Sequence, residues 1–180
     1  MWQLLIPVVV VGGGVMIYNG LVKMRVRVDS AWADIDVQLK RRHDLIPNIV
    51  STVKGYAGHE QETLEAVVNA RSAAMAAQGP VKQSQAENVL SGALKSLFAL
   101  SEAYPDLKAA GNFLDLQQTL KELETALQQA RRYYNAVVRD YNTKIAQVPS
   151  NLFANAFNFK AREFFEIEEG EGEVPSVSFD

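Results

Sequence analysis

The stretch "QLKRRHDLIPNIV", residues 38–50, sets Arg41, Arg42, His43 and Asp44 one turn ahead of Pro47 and Asn48. The chemistry such a cluster could serve is nucleophile–base catalysis about His43. That needs a serine, a cysteine or a paired acid at a matching spacing, and none stands there. A second cluster, "GHEQETLE" at residues 58–65, opens like a zinc-protease motif. The second histidine that motif requires one turn later is replaced by Thr63, leaving Glu62 as the only nearby substitute ligand. The residues fit a helix junction better: Gly58 can end one helix, while His59, Glu60 and Glu62 occupy the first turn of the next, where negative charge meets the helix dipole favourably. With no cysteine in the chain there is no thiolate nucleophile, disulfide or sulfur-ligated metal. No catalytic residue, metal ligand, cofactor or small-molecule substrate is assigned.

A third decoy is "IPVVVVGGGVMIYNG", which imitates a strand followed by a phosphate loop. After Gly12 and Gly14 the third fingerprint position is Ile17, no acidic residue follows at the ribose-binding distance, and no further strand–helix units appear. Gly12, Gly13 and Gly14 instead offer a smooth face for another membrane helix to approach.

The elements that must carry these residues are helical. From Val28 to Tyr56 the positions 28, 32, 35, 39, 42, 46, 49, 53 and 56 step by alternating fours and threes, and only Arg42 breaks the apolar seam. The rhythm returns from Phe113 through Leu116, Leu120, Leu123, Leu127, Ala130, Tyr134, Val137 and Tyr141, in a helix ending at Pro149. There the Tyr134-Asn135 and Tyr141-Asn142 pairs read as polar edges of the seam, each phenol needing a hydrogen-bond partner. Between the long helices, one shorter helix should bury Leu64, Val67, Val68, Arg71 and Met75 and stop at Gly79-Pro80. The next should bury Val89, Leu90, Ala93, Leu94, Leu97 and Phe98 and break at Pro105. Four helices with short connections predict an all-α, antiparallel, coiled-coil-like four-helix bundle over 23–165. Beyond Pro149, Asn151 can cap a short helix through "LFANAFNFKAREFF", whose phenylalanines should dock on the bundle, and residues 166–180 form an acidic tail.

The N-terminus is of another kind. Residues 4–22 carry no charge and have the length of a transmembrane helix, with a three-residue stub before them. Lys23, Arg25 and Arg27 follow the run rather than precede it, as in an anchor and unlike a cleaved signal peptide. The positive-inside bias then puts the N-terminus outside and the helical domain in the cytoplasm, so that in a bacterial cell the chain would be a single-pass protein of the inner membrane. A net charge of −3 argues against nucleic acid as a partner.

Pro47 lacks the N–H that would serve the carbonyl of His43, so the helix should bend there, with Arg41, Arg42 and Asn48 within local reach of the freed oxygen. Arg42, lying on the seam, persists in a core only if paired, with Glu102, Asp106 or Glu163 as candidates. Two readings stand: a buried polar layer that fixes helix register, or a partner groove opened by the bend, in both cases built from Arg41, Arg42, His43, Asp44, Pro47 and Asn48.

The stretches "AWADIDVQLKRRHDLIPNIVSTVKGYAGHE", "EAYPDLKA", "ARRYYNAVVRDYN" and "VPSN" resemble the LemA family of bacterial membrane-anchored proteins, and the similarity runs from Tyr18-Asn19 to Phe179. Val148 departs from it, standing where the family tends to have an aromatic residue. The resemblance implies one N-terminal transmembrane helix, a long-helix bundle and no established enzymatic activity. It also implies an envelope setting, since genes of the family often neighbour those of membrane metalloproteases. The functional expectation is a membrane-anchored scaffold or adaptor that associates with itself or with another envelope protein. The alternatives are an accessory subunit or regulator of a membrane protease, and a metal-dependent hydrolase built around His43 and His59.

Overall fold

A computed structural model describes the backbone from Trp2 to Phe165 and the side chains from Val11 to Phe165. The expected acidic tail, 166–180, and the side chains of the stub lie outside the described residues. The elements are α1 (Trp2–Tyr56), α2 (Gln61–Ala76), α3 (Pro80–Ser101), α4 (Pro105–Lys108), α5 (Gly111–Ala146) and α6 (Ser150–Ala156). All are helices, and among the described residues there is no strand.

Among the described residues no helix is long and apolar enough to cross a membrane. Of the expected span 4–22, positions 4–10 lie outside the residues whose side chains are described, so that statement covers only its second half. The structure thus gives the span no support of its own.

The chain divides into two compact units, Met1–Arg42 with Glu122–Phe164, and His43–Lys121 with Phe165–Asp180. In the first, α1 and α5 run antiparallel. Arg27 donates to the Tyr133 hydroxyl at 3.1 Å and Arg42 pairs with Glu124, so numbers rise along one helix as they fall along the other. The seam residues Val28, Ile35 and Leu39 are buried, as are Leu127, Tyr134, Val137 and Tyr141. Trp32 meets Tyr134 edge-on at 5.4 Å.

Helix α6 is shorter than expected. It starts at Ser150, so Asn151 does not cap it, and it stops at Ala156 in a Schellman turn. Asn158 takes the left-handed conformation at φ 57°, Phe159 N donates to Ala154 O, and Asn158 N donates to Asn155 O. Asparagine tolerates that backbone, which is why the helix can end there without glycine. The chain that follows is held as a strap. Tyr141 donates to Lys160 O at 3.0 Å, Tyr134 to Glu163 O at 2.9 Å, and Asn142 both donates to Arg162 O and accepts from Arg162 N. The phenol partners that the Tyr-Asn pairs required are therefore backbone carbonyls.

The second unit surrounds an aliphatic core of Ile46, Ile49 and Val53 from α1, Leu64 and Val67 from α2, Leu90, Leu94 and Leu97 from α3, Leu107 from α4, and Phe113 and Leu120 from α5. Gly79, at φ 84°, makes the turn between α2 and α3, and Pro80 opens α3 where its missing N–H costs little. Two expected faces are corrected. Val68, Met75 and Val89 are exposed, while Ala70 and Ala74 are buried in α2, because the stripe facing α3 carries small side chains that allow close approach.

Candidate functional site

Of the six residues expected to form a polar layer or groove, Arg42 and His43 are buried, and Arg41, Asp44, Pro47 and Asn48 are exposed. Helix α1 continues unbroken through Pro47. The carbonyl of His43, deprived of a helical partner by that proline, accepts from Arg71 Nε at 2.7 Å. Its donor is thus a side chain of α2, not the local Arg41, Arg42 or Asn48.

Within the first unit, Arg42 is 1% exposed and its Nη2 lies 2.6 Å from Glu124 Oε1 on α5. The three carboxylates considered from sequence are elsewhere: Glu102 bonds Lys108 on the surface, Asp106 is exposed, and Glu163 offers its backbone carbonyl to Tyr134. The sequence did hold a signal for Glu124, which follows the seam residue Leu123, but registering α5 against α1 requires the fold. Glu124 is 35% exposed, so the pair joins a buried cation to an anion that water still reaches.

Within the second unit, His43 Nε2 lies 2.8 Å from Glu87 Oε1, and both side chains are buried. Gln83 Nε2 donates to that same oxygen and to Ala74 O, each at 3.0 Å. With Glu87 ionised, His43 must carry its proton on Nε2, and both protons of the Gln83 amide are used. Sequence reasoning missed Glu87 and Gln83. Stepping backward from Leu90 by three and then four lands on both, so the α3 seam simply continues into polar residues.

Around these groups burial shifts some acids. Desolvation raises the Asp36 carboxyl above its usual range and raises the Tyr134 and Tyr141 phenols. The Tyr104 hydroxyl, donating to Glu60 at 3.1 Å, is raised chiefly by that hydrogen bond. His59 is exposed and Glu60 is engaged by Tyr104, so the zinc-like stretch serves a helix junction. Among the described residues no group of three histidine, cysteine or acidic side chains is placed to hold a metal.

The glycines separate. A side chain at Gly12 or Gly13 would meet nothing within 4 Å, whereas one at Gly14 would meet the Phe153 ring at 3.1 Å. The Gly14 face is therefore already covered by α6.

Each buried pair ties two helices of one unit together, Arg42–Glu124 joining α1 to α5 and His43–Glu87 joining α1 to α3. The model of the LemA family matches residues 31–179. The magnetosome protein MamQ 2 of Paramagnetospirillum magneticum is 24% identical over 189 aligned positions, covering 91% of this chain and 69% of the relative. MamQ of Magnetospirillum gryphiswaldense matches with the same identity and coverage. Protein LemA of Metamycoplasma hominis is 26% identical over 155 positions, covering 84% of this chain and 69% of its own length. With a family match over most of its length, the chain belongs to the LemA family.

Proposed function

We propose that this protein is a membrane-anchored helical scaffold of the bacterial envelope, fixed by a single span over residues 4–22 with its helices on the cytoplasmic side. The observation that carries the reading is the uncharged run followed at once by Lys23, Arg25 and Arg27, all on the one helix that goes on to supply a core seam. The MamQ relatives, named as magnetosome proteins, and the LemA family match are in keeping with this reading. The buried pairs Arg42–Glu124 and His43–Glu87 act in this reading as register devices, since a slipped helix would strand a polar group in the core.

A reporter fused after Asp180 is expected to behave as cytoplasmic, and protease access to the helices from outside intact spheroplasts would overturn that orientation. Self-association through the open Gly12 and Gly13 face is tested by Gly13→Leu, which should shrink a detergent-stable oligomer. Stoichiometric zinc in the purified protein would instead restore the hydrolase reading.

A further inference from the structure

Helix α6 carries an apolar surface that the strap and core do not explain. Leu152 is 65% exposed and Phe157, just past the helix end, 56%, while on α1 Val11 is 65% and Met16 76% exposed. Val11, Gly14, Val15, Tyr18, Phe153 and Phe157 line one groove of about 520 Å³, and among these described residues the Tyr18 hydroxyl is the only polar side-chain group. Tyr18 meets Phe157 edge-on at 4.9 Å and Phe159 at 5.8 Å, and Arg25 lies over the Phe159 ring at 5.0 Å. Lys23 and Arg27, further along α1, and Lys160, next to Phe159, are exposed.

We propose that α6 is a second membrane-contacting element, a wedge lying in the interfacial layer beside the anchor, with the groove between them filled by the acyl chain of a phospholipid. The proposal rests on the anchor reading of residues 4–22. Depth supports it: at 1.5 Å per residue, Tyr18 lies roughly 6 Å and Gly14 roughly 12 Å below Val22. An interfacial helix buries its apolar face roughly 5–10 Å into the boundary between headgroups and chains. The order along α1 matches that boundary too. Aliphatic residues come first, then the Tyr18–Phe157–Phe159 aromatic cluster, then cations that suit anionic headgroups. A surface facing water would not collect so many large apolar side chains about one groove. Lipid is favoured over a second copy because the groove is continuous with a run that must itself be solvated by lipid.

The chain has no cysteine, so single cysteines can be placed in the full-length protein at Leu152, at Val15 and, as a water-facing control, at Ser72. Each carries an environment-sensitive fluorophore in vesicles of phosphatidylcholine and phosphatidylglycerol. Nitroxide lipids labelled near the headgroup or near the chain end serve as quenchers. The expected result is a blue-shifted probe at Leu152 that loses most of its emission to the shallow nitroxide and less to the deep one, with Val15 also quenched and Ser72 unaffected. A Leu152 probe in water with Val15 quenched overturns the wedge and leaves the anchor. A blue-shifted Leu152 probe that no lipid quenches means a second copy or another protein covers this face, and also overturns the wedge. Both probes in water overturn wedge and anchor together. Quenching at Leu152 alone removes the span and, with it, a wedge beside an anchor.

Discussion

Arg42 and His43 are neighbours in the chain, both buried, and belong to different compact units, yet each unit solves the problem of an interior polar group differently. The first buries a permanent cation and leaves its carboxylate partly in water. A guanidinium cannot shed its proton, so its counter-charge is best kept where solvent still offsets the cost of desolvation. The second buries the acid completely and closes it with an imidazole and an amide. Those partners can be neutral, so the carboxylate needs hydrogen bonds on every side more than it needs a full counter-charge. The lesson is that a polar residue on a helix seam is tolerated in more than one way, by hydrogen bonds from buried partners in one unit and by a partly hydrated counter-charge in the other.

The largest effect is expected from His43→Ala, which removes the imidazole from the Glu87 carboxylate, itself 0% exposed and also bonded by Gln83. A denaturant melt of the full chain in detergent should lose roughly 3–5 kcal/mol. A loss below that of Arg42→Met, which isolates the 35% exposed Glu124, would break the comparison, since the fully buried acid would then tolerate isolation better than the partly hydrated one.

Next comes an asymmetry within the first unit. Glu124→Ala removes the carboxylate beside the buried Arg42 guanidinium and should cost about 3 kcal/mol, whereas Arg42→Met leaves a carboxylate that water can reach and should cost about 1 kcal/mol or less. Equal losses in paired melts would mean that the exposure of Glu124 does not lighten its isolation.

Smaller again is the proline coupling. Arg71→Ala removes the donor to the His43 carbonyl and should cost roughly 1–3 kcal/mol. Pro47→Ala, by restoring the helical N–H, should recover about 1 kcal/mol in that background and less in the wild type. Strict additivity in the four-variant cycle would show that the two donors do not compete for one oxygen.

The smallest effect is local. Tyr134→Phe removes one hydrogen bond to the strap and should cost about 1 kcal/mol. The folded phenols of Tyr134 and Tyr141 are raised above their ordinary value of 10.0. For an acid so raised, the folded state's advantage is complete below the ordinary value and is lost as pH rises through the folded one. Limited proteolysis between Phe157 and Phe164 should therefore accelerate above pH 10 in the wild type, and less steeply in the Tyr134→Phe, Tyr141→Phe double variant. An identical pH response in both would remove the phenols as the cause.

The helices themselves were legible because their signal is periodic and local. The alternating stepping located α1 and α5, Gly79-Pro80 marked the turn before α3, and Pro105 marked its end. Faces were less legible. Val68, Met75 and Val89 fit an apolar stripe as well as Ala70 and Ala74 do, and periodicity alone cannot prefer the smaller residues. The strap was missed because its bonds join tyrosine hydroxyls to main-chain carbonyls nineteen and twenty-nine positions away, and a carbonyl leaves no mark in a sequence.

By itself the sequence determined that this chain is helical, that Arg42 sits on an apolar seam, that Pro47 frees a carbonyl, and that an uncharged run precedes a cluster of cations. Each follows from residue type and spacing along one helix. Only the tertiary structure decided that Glu124 meets Arg42, that Glu87 and Gln83 meet His43, that Arg71 serves the freed carbonyl, and that Phe153 covers Gly14. Those pairings depend on the register and rotation of one helix against another, and the distance along the chain between such partners carries no trace of either.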